Sequence, residues 1–216
     1  MIQIVPAILA LDEESFRRDL KRIEESRSLE DGWIHIDLMD GQFVDRTSVG
    51  PEILEKYPPN GKVEAHLMVK DPLSMFDELK IGGAKRVIIH LEVGNTGQII
   101  SQAKSEGFEV GVAINPESEV SELETFLEDL DAVLVMGVHP GAQGQDFIDE
   151  TPQRVKQVTS LRDQKGLHFL VGADGGVSDQ VAGEFAQTGV DYLVVGSHLL
   201  KGDISENLEK IKASLG

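Results

Sequence analysis

Eight short runs rich in β-branched residues recur along the 216-residue chain: "IQIVPAIL", "WIHID", "VEAHLMV", "RVIIHLE", "EVGVAI", "AVLVM", "HFLVGA" and "DYLVVGS". Between them lie stretches with helical spacing, beginning near Glu13, Pro51, Pro72, Thr96, Val120, Thr151, Ser178 and Ile204, several of them opened by Ser, Thr, Asp or Pro. Strands buried on both faces and joined by helices run parallel through right-handed crossovers. Eight such units in this length close most economically as an α/β fold of the (β/α)8 TIM-barrel type, with an open doubly wound sheet as the alternative. No Pro/Gly/Ser-rich linker or low-complexity tract interrupts the pattern, so residues 1–216 are expected to form a single barrel domain.

Composition narrows the function classes. Apolar residues make up 40% and charged residues 27% of the chain, ordinary globular usage. The formal charge of -18 argues against a nucleic-acid or anionic-membrane surface, which would need clustered Lys and Arg. The apolar runs stop far short of a membrane span, and the N-terminus lacks the basic start and cleavage site of a signal peptide. A cytoplasmic protein is therefore expected. With no cysteine, disulfide and thiolate chemistry are excluded, and any metal must be held by His, carboxylates or carbonyls.

In a barrel of this kind the chemistry sits at the C-terminal ends of the strands. His35 and Asp37, two apart in "WIHIDLMDG", turn to the same side of the second strand. His66 lies late in the third strand, and Asp174 ends the seventh before two glycines. Two imidazoles and two carboxylates converging on one axis can bind a divalent cation and leave positions open for substrate oxygens. Zinc, iron(II), manganese and cobalt all suit that set. Each residue also has a plainer reading, a hydrogen-bonded structural His or an Asp that caps a turn, and the same applies to His90 in "IIHLE". Several unpartnered polar groups at one depth of a barrel core would be costly, which favours the shared cation.

The glycines carry a second signal. "DGGVS" follows strand seven and "VGSHLL" follows strand eight, where this fold commonly binds phosphate through backbone amides. Gly175, Gly176, Gly196 and Ser197 would let the backbone approach phosphate oxygens closely, and "HPGAQGQ" after strand six can close over the same group.

At this point the residues resemble the ribulose-phosphate 3-epimerase family over nearly the whole chain and in the same order. The family's P-S-I-L-A is similar to "PAILA"; its W-I-H-I-D-x-M-D-G is present as "WIHIDLMDG" and H-L-M-V is intact. The H-x-E of "HLE", Asn115-Pro116, "MGVHPGAQGQ", the D-G-G at Asp174 and a terminal V-x-G-S also match. The resemblance implies a barrel of the ribulose-phosphate-binding type, a sugar-phosphate substrate and a symmetric homo-oligomer. It implies one divalent metal held by His35, Asp37, His66 and Asp174, with Asp37 and Asp174 as the two catalytic carboxylates. Met39, Met68 and Met136 match the methionines that wall the reacting carbons. Phosphate contacts map to Gly141, Ala142, Gln143 and Gly144, to Gly175 and Gly176, and to Gly196 and Ser197.

The chemistry so implied is inversion of carbon 3 of a ketose phosphate, D-ribulose 5-phosphate to D-xylulose 5-phosphate. One carboxylate removes the proton beside the ketone, the other returns one to the opposite face, and the metal stabilises the enediolate. Several positions depart from the family: Ala7 stands for its early serine, Gln42 for the His after M-D-G, "VDRTSVGP" for V-P-N-L-T-F-G-P with a new charge at Arg46, and Ala142 and Gln143 for Phe and Gly. These departures keep open an epimerase of a hexulose 6-phosphate and a noncatalytic phosphosugar-binding relative. A lyase of the related phosphosugar barrels would carry D-x-K-x-x-D on strand two, and "DLMDG" lacks the Lys. His198, after the Gly-Ser pair, reads as a helix-start residue or a phosphate neighbour.

Overall fold

The computed structural model describes residues 2–26, 32–142 and 144–216. The eight expected runs form β1 (Gln3–Ile8), β2 (Trp33–Met39), β3 (Lys62–Met68), β4 (Arg86–His90), β5 (Glu109–Ile114), β6 (Ala132–Met136), β7 (Leu170–Asp174) and β8 (Tyr192–Val195). Every neighbouring pair is parallel, and β8 returns to β1, which closes the barrel in sequence order. The doubly wound alternative is thereby excluded.

Helices α1 (Glu13–Glu25), α2 (Ile53–Lys56), α3 (Phe76–Ile81), α4 (Thr96–Ser105), α5 (Thr151–Lys165), α6 (Ser197–Leu200) and α7 (Ile204–Leu215) lie in the connections. Their ends follow local chemistry. Asp12 accepts the Ser15 backbone N–H in a capping box that starts α1, and Asp203 accepts that of Glu206 to start α7. α5 opens with Pro152 in its first turn and stops at Gly166, whose φ of 65° is the left-handed conformation glycine tolerates.

Two connections differ from the sequence expectation. After β5 the segment from Val120 forms only 3-10 turns at Val120–Leu123 and Leu127–Asp129. Glu119, Glu122, Glu124, Glu128 and Asp129 would repel one another at helical spacing, which opposes a longer α-helix there. After β7 the segment from Ser178 likewise gives a single 3-10 turn, Ala182–Phe185. Gly183 sits at its centre, where a Cβ would lie 2.9 Å from the Ser214 carbonyl oxygen of α7, so the turn is fixed by close backbone packing.

Strand alternation divides the buried side chains into two sets. Outward residues such as Ile8, Ile36, Leu67, Ile89, Val112 and Val135 pack with Phe16, Phe76, Leu79, Ile99 and Val155 from the helices. Each fully buried Ile, Leu or Phe of this shell contributes about 1.5–3 kcal/mol. Inward residues form a second cluster that includes Val5, Ile88, Leu134, Met136, Tyr192 and Val194. The inward positions of β2, β3 and β4 are different: there the barrel encloses His35, Asp37, Glu64, His66, Arg86 and His90, all buried. A filled apolar core thus holds a polar wedge.

Candidate metal centre and substrate cavity

His35 and Asp37 stand on one face of β2, and register pairs Asp37 with His66 on β3. Asp174 ends β7, on the far side of the barrel mouth. One ligand atom from each of these four residues lies within 4.8 Å of the others. His35 Nε2 is 3.3 Å from Asp37 Oδ1 and 3.9 Å from Asp174 Oδ2, while His66 Nδ1 is 2.9 Å and 3.7 Å from the same two atoms. The four expected ligands therefore converge.

The donor set fits a divalent cation. His35 is fully buried, yet its Nε2 makes no hydrogen bond and points between the two carboxylates. Burial by itself would lower the His35 pKa, but the Asp37 and Glu64 carboxylates outweigh it and hold it well above the usual imidazole range. A site that attracts a proton so strongly attracts a cation for the same reason. Two imidazole nitrogens and two carboxylates are the mixed set expected of a zinc-like or iron-like ion.

The two carboxylates sit in unequal fields. Burial would raise the Asp37 carboxyl, but the adjacent His35 imidazole and the hydrogen bond with His66 overcome it and leave it well below the usual range. Asp174 lacks such a bond; burial dominates, and with the Asp37 charge nearby it is pushed up to about 6 despite the two imidazoles. Without a metal, one carboxylate stays ionised while the other readily holds a proton.

Each imidazole is held from behind. His35 Nδ1 is 2.7 Å from Glu64 Oε1. His66 Nε2 is 2.8 Å from His90 Nε2, and His90 Nδ1 faces Glu92 Oε2 at 3.4 Å. Burial holds His90 down to about 4, so it is a neutral partner for His66 at neutral pH. Glu92 in turn accepts the Asn115 backbone N–H at 2.8 Å and bonds Ser118, which ties the ends of β4 and β5 together. The sequence reading missed Glu64. Its signal is the alternation itself, because a Glu two residues before His66 must face into the barrel.

A cavity opens above this wedge. Asp37, Asp174, Met68 and Met136 line its floor and walls, and Gly141, Ala142, Gly144, Gly175, Gly176, Gly196 and Ser197 line the side formed by the loops after β6, β7 and β8. His35 and His66 are buried beneath it. Met39 is buried beside Met68 in register but is not among the cavity's lining residues. Gln143 lies outside the described residues. Ala7 lines the cavity too, so the missing hydroxyl noted in the sequence falls at the site. His198 lies in the first turn of α6 and its Nε2 is 3.0 Å from Asp179 Oδ1, away from the cavity lining.

The loop backbones meet because of glycine. Gly175 has φ 102°, and a Cβ there would lie 2.5 Å from Val138 Cγ2. Gly141, at φ 106°, leaves no room for a Cβ against Val44 of the loop after β2. Gln145 then staples the loop after β6 by donating to the carbonyls of His139 and Ala142 at 2.6 and 2.9 Å.

Residues 3–200 match the family model described as the ribulose-phosphate 3 epimerase family. The chain is 32% identical over 219 residues to ribulose-phosphate 3-epimerase of Bacillus subtilis (strain 168), covering 99% of this chain and 100% of that one. It is 31% identical over 219 residues to the chloroplastic ribulose-5-phosphate-3-epimerase of Arabidopsis thaliana, covering 99% and 77%. Among solved structures, 3-keto-L-gulonate-6-phosphate decarboxylase from Vibrio cholerae superposes with a TM-score of 0.72 at 9% identity, covering 99% of this chain and 97% of that one, a likeness of fold alone. With the match running through β1 to β8 and spanning His35, Asp37, His66 and Asp174, the chain belongs to the ribulose-phosphate 3-epimerase family.

Proposed function

We propose that this chain is an isomerase that inverts carbon 3 of D-ribulose 5-phosphate to give D-xylulose 5-phosphate. The observation that carries the proposal is the placement of Asp37 from β2 and Asp174 from β7 in the lining of one cavity, over two buried imidazoles. Inversion beside a ketone needs one group to take the proton from carbon 3 and another to deliver one to the opposite face, with no net change in atoms. Unequal environments suit the pair for that task. In the metal-free site Asp37 is held ionised by its histidines and Asp174 retains a proton more readily, which supports Asp37 as the base and Asp174 as the acid in this direction. The roles exchange when the reaction runs backward.

His35, Asp37, His66 and Asp174 would hold the divalent cation, which supplies Lewis-acid stabilisation of the negative charge that develops on the substrate. Met68 and Met136 exclude water from the reacting carbons and allow either hand at carbon 3 without offering a competing proton donor. Backbone amides of the three glycine loops would take the phosphate, so a chain of charge -18 can still bind an anion. Family membership also supports a symmetric homo-oligomer, to be measured by sedimentation. Among the described residues no helix is long and apolar enough to cross a membrane.

A hexulose 6-phosphate is the second reading, favoured by Ala7 at the cavity wall, where a lost hydroxyl leaves space. The test follows solvent deuterium into D-ribulose 5-phosphate and D-allulose 6-phosphate by NMR, with metal-loaded protein. Faster exchange and epimerisation of the pentulose is expected. The reverse order would select the hexulose, and silence on both with metal bound would select a noncatalytic binder. Asp37→Asn and Asp174→Asn should each lower turnover by several orders of magnitude; near-normal rates in both would remove the two-carboxylate mechanism.

A further inference from the structure

Behind His35 of β2, the barrel interior carries a row of charge across β3 to β5 that the proposed reaction does not use. Register pairs His35 with Glu64, Glu64 with Arg86, and Arg86 with Glu109, one residue from each of four adjacent strands. Glu64 Oε1 is 2.7 Å from His35 Nδ1, and Glu64 Oε2 accepts from Arg86 Nη1 at 2.8 Å and from the Tyr192 hydroxyl at 3.3 Å. Arg86 also donates to Glu109 Oε2 through Nε at 3.1 Å and Nη2 at 2.7 Å, and its guanidinium lies 4.3 Å over the Trp33 ring. Glu64 and Arg86 are buried, at 1% and 4% exposure. The row ends at Glu109, whose side chain reaches solvent at the opposite end of the barrel from the cavity.

Taking a carboxylate and a guanidinium out of water is expensive, and packed apolar residues would stabilise the barrel at least as well. What the pair supplies is direction. Arg86 only donates, so it commits one Glu64 oxygen and leaves the other free to accept. That oxygen meets His35 Nδ1, the atom on the far side of the ring from Asp37 and Asp174.

We infer that Glu64, oriented by Arg86, is a positioning residue for the metal centre: it keeps the proton of His35 on Nδ1 and the lone pair of Nε2 aimed at the cation. This rests on the metal reading of the four-residue cluster. It deepens that reading by making metal affinity depend on a residue at the buried middle of the barrel, which touches neither metal nor substrate.

Glu64→Gln provides the test, because an amide has one accepting and one donating end. Arg86 forces the amide oxygen toward itself, so the NH2 faces His35 Nδ1 and favours the wrong tautomer. Adding Arg86→Met frees the amide to turn its oxygen back to His35. Zn2+ binding to metal-depleted protein, measured by chelator competition, should weaken roughly 10–100-fold in Glu64→Gln and recover most of that loss in the double variant. A merely structural role predicts no recovery, since the double variant removes more of the network.

Histidine-selective 15N NMR of the Zn2+-loaded wild type adds an arm that needs no variant: His35 should be protonated on Nδ1 and bare on Nε2. Glu64→Gln affinity within twofold of wild type, or absence of recovery, would overturn the inference while leaving the metal reading intact; a proton on His35 Nε2 would remove His35 from the ligand set and overturn both. If wild-type protein binds no Zn2+, the metal reading fails, and the inference with it.

Discussion

Asp174 shows how much one residue's surroundings decide. Burial lifts its folded-state pKa to about 6, above the ordinary 3.8. A folded pKa raised above the unfolded one means that the folded state binds the extra proton between those values. Its contribution to stability is therefore fully present below about pH 4 and lost as pH rises through about 6. In metal-free protein at pH 8 the ionised carboxylate should cost about 3 kcal/mol. Asp174→Asn mimics the protonated form, so with chelator present it should unfold at a temperature higher by several degrees at pH 8 and match wild type near pH 4. Equal stability at both pH values would contradict the assigned burial cost. With metal restored the order should reverse, because the variant has lost a ligand. The residues that carry this argument, His35, Asp37, His66 and Asp174, were legible in the sequence through period-two spacing and position late in strands. Glu64 and Arg86 were passed over, because a charged residue near the start of a strand normally reads as solvated, although period-two alternation with His66 puts Glu64 on the inward face.

At the scale of elements, the strands were legible and some of the connections were not. A doubly buried parallel strand announces itself by a run of Val and Ile, whereas Val120–Leu123 and Ala182–Phe185 carry helix-compatible residues and still form 3-10 turns. Repulsion among acidic residues in one case and contact with α7 in the other decided those segments, and the second is a tertiary effect. Inside the barrel, β7 and β8 meet through an equally tertiary constraint. Gly172 is paired in register with Tyr192, and a Cβ at Gly172 would lie 2.3 Å from the Tyr192 ring. Tyr192 is 2% exposed and its hydroxyl donates to Glu64, so the ring has little room to yield. Gly172→Ala should therefore destabilise the fold by about 1–3 kcal/mol through overpacking, against the usual expectation that Gly to Ala strengthens a strand. Urea unfolding checks the sign, and a midpoint at or above wild type would mean that β8 relaxes without cost. If Tyr192 is displaced, Zn2+ affinity should fall as well, since Glu64 loses a partner.

For the molecule as a whole, two kinds of charge act on stability and can be separated. A net charge of -18 spreads repulsion over the surface, and monovalent salt relieves it by screening, with a Debye length of about 3 Å at 1 M. The carboxylates and imidazoles at the barrel mouth act locally, and a cation bound there adds stability by mass action, about 4 kcal/mol when free metal exceeds its Kd a thousandfold. For a chain of this length that corresponds to a rise of roughly 10 °C in Tm. Wild-type protein should thus gain Tm from micromolar Zn2+ and, separately, from 1 M NaCl. Asp37→Asn should keep the salt response and lose most of the metal response, because screening involves the whole surface while chelation involves four residues. One cooperative transition is expected under each condition, since β8 closes onto β1 and no part of the barrel can open without breaking the ring. Calorimetry reads all of this in one series. A Zn2+ response that survives Asp37→Asn would place the stabilising ion elsewhere on an acidic surface, and two separate transitions would show that the closed barrel does not unfold as one unit.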